Sequence, residues 1–229
     1  MKEENMIKQK RQGQLIVISG PSGAGKDTIV EKVIERGEKI WLSVSATSRK
    51  PREGEQEGVN YFYLEKDEFE EKIQKNYFLE YARYADNYYG TPKEKVQEKL
   101  DQGIDVVLVI EIQGAQKIKE LVPEAIFIFI MPPSEKELLK RLKNRKTESK
   151  EKILERFNIA YKEMNEVTKY NYVVVNDDIE KAVSKVEAII KAEKCRVDRI
   201  EEMLVANQEE IIHEFLMEED FDNTPISVQ

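Results

Sequence analysis

With 229 residues, 36% of them charged and 40% hydrophobic, the chain is long enough for one domain with a substantial core. No apolar run approaches the roughly 20 residues of a membrane-spanning helix, and a single cysteine, Cys195, excludes an internal disulfide and fits a reducing cytoplasm. His213 is the one histidine, which excludes a histidine metal cluster, and the net charge of −8 belongs to a tail: nine acids and no Lys or Arg follow Arg199, and taking those nine from 45 leaves 36 acids against 37 bases.

The first dozen residues carry Lys2, Lys8, Lys10 and Arg11 without an apolar segment, so no signal peptide is expected and a solvated, frayed start is. The apolar run 15–18 then reads as a buried strand, and 29–34 places Ile29, Val30, Val33 and Ile34 at helical spacing. Between them lies Gly20-Pro21-Ser22-Gly23-Ala24-Gly25-Lys26-Asp27-Thr28. Glycines at 20, 23 and 25 let backbone N–H groups converge, the helix start adds partial positive charge and Lys26 adds a full one. This order of strand, loop, lysine and helix predicts a cradle for nucleotide phosphates. The strict pattern places Ser or Thr directly after the lysine to reach Mg²⁺; here Asp27 stands there, and Thr28 is the hydroxyl left for the metal.

Further on, 40–44 predicts a short strand and 45–54, polar and basic with Pro51 and Gly54, a loop. A strand is expected over 61–64, an amphipathic helix over 67–75 with Asp67 as cap, and an alternating aromatic strand over 78–84. Thr91, Pro92 and Glu94 carry the cap, first-turn proline and capping-box acid of a further helix. The continuous apolar runs 106–110 and 125–131 predict strands buried on both faces, with Glu111 ending the first. Ser134 with Glu137 opens a helix, a basic break follows over 144–150, and a helix over 151–164 precedes the strand 172–175. Asp177 is expected to start the next helix. Strands alternating with helices predict an α/β domain with a mostly parallel sheet flanked by helices.

The run 43–55, with Ser45, Arg49, Arg52 and Glu55, followed by Gly58-Val59-Asn60-Tyr61-Phe62, resembles guanylate kinase. The likeness continues through Glu80-Tyr81-Ala82, 87–91, Glu111-Ile112-Gln113-Gly114-Ala115, Arg141-Leu142 with Arg145, and Val175-Asn176-Asp177-Asp178. It covers about 13–195 in colinear order and implies a P-loop kinase core (13–44 and 91–195), a GMP-binding insert (45–90) and a lid at about 141–156. The remainder, 196–229, is an acidic extension without counterpart. The resemblance further implies ATP as donor, GMP or dGMP as acceptor and Mg²⁺ with ATP, and no nucleic-acid or membrane partner. By its motifs, residues 20–28 and Arg141 would hold ATP, with Asn176 approaching the adenine. Lys26, Arg145 and Arg156 would meet the transferring phosphoryl group. Ser45, Glu80 and Thr91 would hold the guanine edge, Arg49, Arg52, Tyr61 and Tyr89 the GMP phosphate, and Glu111 would lie at the acceptor side.

The family usually carries two acids on one strand, two residues apart; Val109 stands at the first of these positions and Glu111 at the second. Residues 109 and 111 are expected on one strand face, and Asp27 either turns to solvent, the favoured reading, or compensates at the metal. Two other functions stay open: a binding module that recognises phosphorylated partners through the acceptor site, and a related sugar-phosphate kinase. Finally, Ile200, Leu204, Ile211 and Phe215 share one helical face, which predicts an amphipathic helix over 200–217 that could mediate a homo-oligomer, and 221–229 reads as disordered.

Overall fold

The computed structural model describes residues 7–9, 12–37, 39–84, 86–143 and 150–203. In chain order β1 (Ile7–Gln9) precedes β2 (Leu15–Ser19), buried at every position, and the glycine-rich loop leads into α1 (Lys26–Arg36). After β3 (Ile40–Leu42) come the two-residue β4 (Ala46–Thr47) and β5 (Phe62–Tyr63), α2 (Lys66–Gln74), and the hairpin of β6 (Phe78–Tyr84) and β7 (Asn87–Pro92). The helix α3 (Lys93–Asp101) returns the chain to β8 (Asp105–Val109), followed by α4 (Ile112–Leu121) and β9 (Ile126–Met131). The last elements are α5 (Glu135–Lys143), α6 (Lys150–Met164), β10 (Tyr172–Val175), α7 (Ile179–Glu193) and β11 (Ile200–Met203).

Two compact units are distinguished, one within residues 11–191 and a smaller one containing β1 and the chain from 192 onward. In the larger unit, five strands pair in the order β10-β9-β2-β8-β3, every pair parallel. Period-two alternation splits their side chains between two cores. Ile16, Ile18, Val107, Ile128 and Ile130 pack on Ile29, Val30 and Val33 of α1 and Val183, Val186 and Ile190 of α7. On the other face Leu15, Val17, Val106, Leu108 and Phe127 meet Val96 of α3 and Ala115 and Ile118 of α4. Both faces being covered is why β2, β8 and β9 are almost wholly apolar, Ser19 and Asp105 being the polar exceptions at strand ends, and each fully buried Ile or Phe contributes roughly 1.5–3 kcal/mol. A second sheet, β5-β4-β7-β6, lies in the connection between β3 and β8 and carries its own core of Ala46, Phe69 and Phe78.

Several local expectations shift. The helix α2 begins at Lys66 with Glu65 rather than Asp67 as its flanking residue. Thr91 belongs to β7 instead of capping α3, whose flanking residue is Pro92, because the Thr91 hydroxyl is bonded to Glu80. The cap of α7 is Asp178, not Asp177: its Oδ1 accepts the Lys181 N–H at 3.0 Å. Ser134 does cap α5, accepting the Glu137 N–H at 3.2 Å. In the smaller unit β11 pairs antiparallel with β1, so 200–203 is a strand where a helix was expected, and 7–9 is paired rather than frayed. The rest of the expected C-terminal helix and tail, 204–229, lies outside the described residues.

Candidate active site

The glycine-rich loop leaves the C-terminal end of β2, the middle strand of the parallel sheet, where ligands of such folds collect. Gly20, Gly23 and Gly25 all adopt positive φ. At Gly25 this is obligatory: with φ 89° it flanks α1, and a Cβ there would sit 2.4 Å from Asn176 Nδ2. Lys26 Nζ donates to Gly20 O at 2.5 Å, within the loop that it closes. Asp27 and Thr28 are exposed in the first turn of α1. Ala24 O accepts the Asn176 amide at 2.8 Å and Arg141 Nη1 at 3.5 Å, and Arg141 Nη2 reaches Asn176 O at 3.0 Å.

The helices α5 and α6 pack through Leu138, Leu142, Ala160 and Met164 and present two side chains to the loop. Arg156 Nη2 donates to Ser22 Oγ at 2.5 Å. Glu163, two turns along α6 on the same face, has its carboxyl raised above the ordinary range by burial and by Glu111, against the pull of Lys26 and the Ser22 N–H. The loop is thus surrounded by Lys26, Arg141 and Arg156, with Glu111 and Glu163 on one side.

On the second sheet, Glu80 of β6 is only 8% exposed, and Thr91 Oγ1 of β7 donates to its Oε1 at 2.8 Å. Burial raises the Glu80 carboxyl, and the Thr91 hydroxyl and Lys117 partly offset that. Room for the carboxylate is provided by Gly114 at the start of α4: a Cβ there would lie 2.9 Å from Glu80 Oε2. The neighbouring loop is organised by Glu55. Its carboxylate takes Arg49 Nη2 on both oxygens at 2.8 and 2.9 Å, the Arg52 N–H at 2.8 Å and the Tyr63 hydroxyl at 2.9 Å. These donors, Arg49 first, lower the Glu55 carboxyl to about 2 and Glu55 raises the Arg49 guanidinium. The Arg49 guanidinium lies 5.4 Å from the centre of the Tyr61 ring, which packs edge-on against Tyr89 at 5.9 Å.

The chain thus carries two polar clusters, the glycine-rich loop with its lysine and arginines on the parallel sheet and the buried Glu80 with the Arg49–Tyr61–Tyr89 group on the second sheet. The guanylate kinase family model matches residues 12–193, most of the chain. This chain belongs to the guanylate kinase family. The guanylate kinase of Caldanaerobacter subterraneus subsp. tengcongensis is 56% identical over 203 residues, covering 89% of this chain and 98% of the relative. That of Clostridium perfringens is 53% identical over 212 residues, covering 93% and 98%. The crystal structure of guanylate kinase from Anaplasma phagocytophilum aligns with TM-score 0.69 at 32% identity, covering 93% of this chain and all of that one.

Set against the family's motifs, Ser45, Arg49, Tyr61, Glu80, Tyr89 and Thr91 are carried by the second sheet and its adjoining loop, while Arg52 is exposed. Arg145 lies outside the described residues. The expectation that 109 and 111 share a strand face is corrected: β8 ends at Val109, which packs against the core, and Glu111 is the exposed residue flanking α4. Asn176, expected at the adenine, has its amide turned onto Ala24 O. Three residues escaped a role in the sequence. Glu55 and Gly114 act on Arg49 and Glu80 only through the tertiary fold. Glu163 did leave a signal, being seven positions after Arg156 on one helix.

Proposed function

We propose that this guanylate kinase family member transfers the terminal phosphoryl group of ATP to GMP, and to dGMP, by in-line displacement. The observation that carries the reading is Glu80, a carboxylate 8% exposed and held by Thr91 at 2.8 Å, in a chain whose relatives bear the guanylate kinase name. Guanine offers N1–H and N2–H₂ side by side, and an ionised carboxylate accepts both; adenine has no hydrogen at N1 and would leave Glu80 underpaired. Ser45, one residue before the Ala46–Gly90 pair, would join Glu80 and Thr91 at the guanine edge. Arg49, Arg52, Tyr61 and Tyr89 supply donors for the GMP phosphate, with Glu55 orienting Arg49.

No general base is needed, because the second pKa of a phosphate monoester, about 6, leaves the attacking oxygen mostly ionised at neutral pH. Lys26, the loop N–H groups and Arg156 align and neutralise the transferred group, and Arg145 would join them. The donor set at the phosphate end is all oxygen: the Thr28 hydroxyl and the carboxylates of Glu111 and Asp27, each exposed. It fits Mg²⁺, which takes one or two protein oxygens together with substrate phosphates and water. Bound with ATP, the ion would supply charge neutralisation at the bridging phosphates. Among the described residues no helix is long and apolar enough to cross a membrane, and exposed Cys195 is compatible with a reducing cytoplasm. The relatives' names favour the enzyme over a non-catalytic module or a sugar-phosphate kinase.

The test is ADP release from ATP measured across GMP, dGMP, AMP, CMP and UMP. GMP and dGMP should dominate, and Glu80→Gln, which turns an NH₂ toward the guanine donors, should raise the GMP KM sharply. AMP turning over as well as GMP would overturn the guanine assignment.

A further inference from the structure

We infer that Asn176 is a positioning residue for the phosphate loop, holding the Ala24–Gly25 peptide in its anion-binding orientation, and not a reader of the adenine base. The inference rests on the kinase reading above for the loop's role and goes beyond it in what Asn176 does.

Asn176 follows β10 directly, and its backbone N–H continues the ladder by donating to Met131 O at 2.8 Å. The parallel sheet therefore fixes where its side chain begins. That side chain is almost entirely buried, with 6% of the residue exposed, which leaves little surface for a base to touch. Its Nδ2 donates to Ala24 O at 2.8 Å and packs so closely that a Cβ on Gly25 would stand 2.4 Å away. Arg141, from α5, ties the same point down: Nη2 reaches Asn176 O at 3.0 Å and Nη1 reaches Ala24 O at 3.5 Å. One loop carbonyl thus faces two side-chain donors from two elements of the core.

The peptide between Ala24 and Gly25 is trans, as all described peptides are. In a trans peptide the C=O and the following N–H point in opposite directions. Drawing Ala24 O toward Asn176 therefore aims the Gly25 N–H the other way, away from Asn176. Gly25, at φ 89°, has few steric restraints of its own, so without the brace this peptide can rotate. A rotated peptide would present a carbonyl oxygen to the phosphates in place of a donor. The brace acts on the phosphate grip of any nucleotide and is indifferent to the base.

The test compares full-length wild type with Asn176→Ala and with Asn176→Asp, which keeps the shape and replaces the donor by an oxygen facing Ala24 O. Calorimetry reads affinity for inorganic tripolyphosphate, for ATP and for GMP. A brace lowers tripolyphosphate and ATP affinity by the same factor, about tenfold or more for a lost hydrogen bond plus two opposed oxygens. GMP affinity should stay within twofold. The Asn176→Asp deficit relative to wild type should shrink between pH 7.5 and 5.5, since a protonated carboxyl regains an O–H donor; a purely structural defect would not follow that titration. Loss of ATP affinity with tripolyphosphate unchanged would restore the adenine contact and overturn the brace. So would a parallel loss of GMP affinity, no loss at all, or a wild type that does not bind tripolyphosphate. Should both variants fail to fold by circular dichroism, Asn176→Gln displaces the donor by one methylene, and the same equal loss is expected. GMP phosphorylation by wild type is scored separately: its absence would sink the proposed reaction and leave the tripolyphosphate comparison standing.

Discussion

Gly114→Ala separates recognition of guanine from stability of the fold, because the two should move in opposite directions. Gly114 lies inside α4, where Ala is favoured over Gly by about 0.8–1 kcal/mol of helix propensity. The added methyl, however, would stand 2.9 Å from Glu80 Oε2 and 3.3 Å from its carboxyl carbon, about 0.5 Å inside ordinary contact. Glu80 cannot simply swing away, since its other oxygen is bonded to Thr91 at 2.8 Å and the residue is buried. Either that bond stretches or the carboxylate turns off the guanine edge. Losing about one charge-assisted hydrogen bond removes roughly 1.5–3 kcal/mol, equivalent to ten- to a hundredfold in kcat/KM for GMP. Steady-state kinetics with GMP varied at saturating ATP, beside a melting curve, measures both. We expect GMP kcat/KM to fall by that factor, ATP KM to hold within twofold, and the melting temperature to be unchanged or higher. An unaltered GMP KM in a folded variant would show that Glu80 does not need the space at Gly114, and with it refute the placement of the guanine edge there.

Glu55→Ala should raise the GMP KM about tenfold, because Arg49 Nη2 loses the carboxylate that holds it through both oxygens; a KM that falls instead would mean that Glu55 competes with the phosphate. Arg52→Lys should lower kcat/KM at least tenfold, about 1.4 kcal/mol, by replacing a planar fork with a point charge, and activity within twofold of wild type would return Arg52 to the solvated charges. For pH, the Glu80 carboxyl is raised above 4.5 by burial, so it protonates earlier than an exposed glutamate as pH falls and ceases to accept the guanine donors. The affinity for guanosine, which has no phosphate to titrate, should therefore fall on the acid side, with its midpoint above 4.5, and Glu80→Gln should flatten that limb; a midpoint at or below 4.5 would contradict the burial account.

What could be read from the sequence was whatever a short segment determines by itself. β6 and β10 appear with the expected bounds, and β2, β8 and β9 within one residue; unbroken apolar runs between turn residues have one economical use in a parallel sheet, and in β6 the aromatic alternation marks a strand with two unlike faces. The glycine-rich loop was equally plain. Other elements depended on distant partners. The two residues of β4 become a strand only because Ala46 and Thr47 pair with β5 and β7, which no local pattern announces. Thr91, followed by Pro92 and Glu94, has every local mark of a helix start, yet its hydroxyl is claimed by Glu80, and tertiary bonding outweighs the cap. At the site, the family likeness brought Glu80 and Arg49 forward, but Glu55 reads as one more loop acid until the turn Arg52–Glu55, closed by Glu55 N–H to Arg52 O at 3.1 Å, places it under three donors. For Asn176 the sequence offers only the adenine contact that the family likeness implies; the bond of its amide to Ala24 O belongs to the fold.

β3 and β8 are neighbours in the parallel sheet, paired Ile40 to Asp105, Trp41 to Val106 and Leu42 to Val107, and everything between them in sequence is one long crossover. That crossover contains the whole second sheet with Glu80, Thr91 and the Arg49–Glu55 loop. Closing it is a matter of chain entropy that grows only logarithmically, about 0.6 kcal/mol for each doubling of its length. Insertions or replacements there leave the register of the core strands untouched, as the pairing on either side fixes it. On the reading proposed above, the acceptor pocket is an exchangeable cassette: which monophosphate it admits can be retuned without disturbing the strands that carry the donor loop.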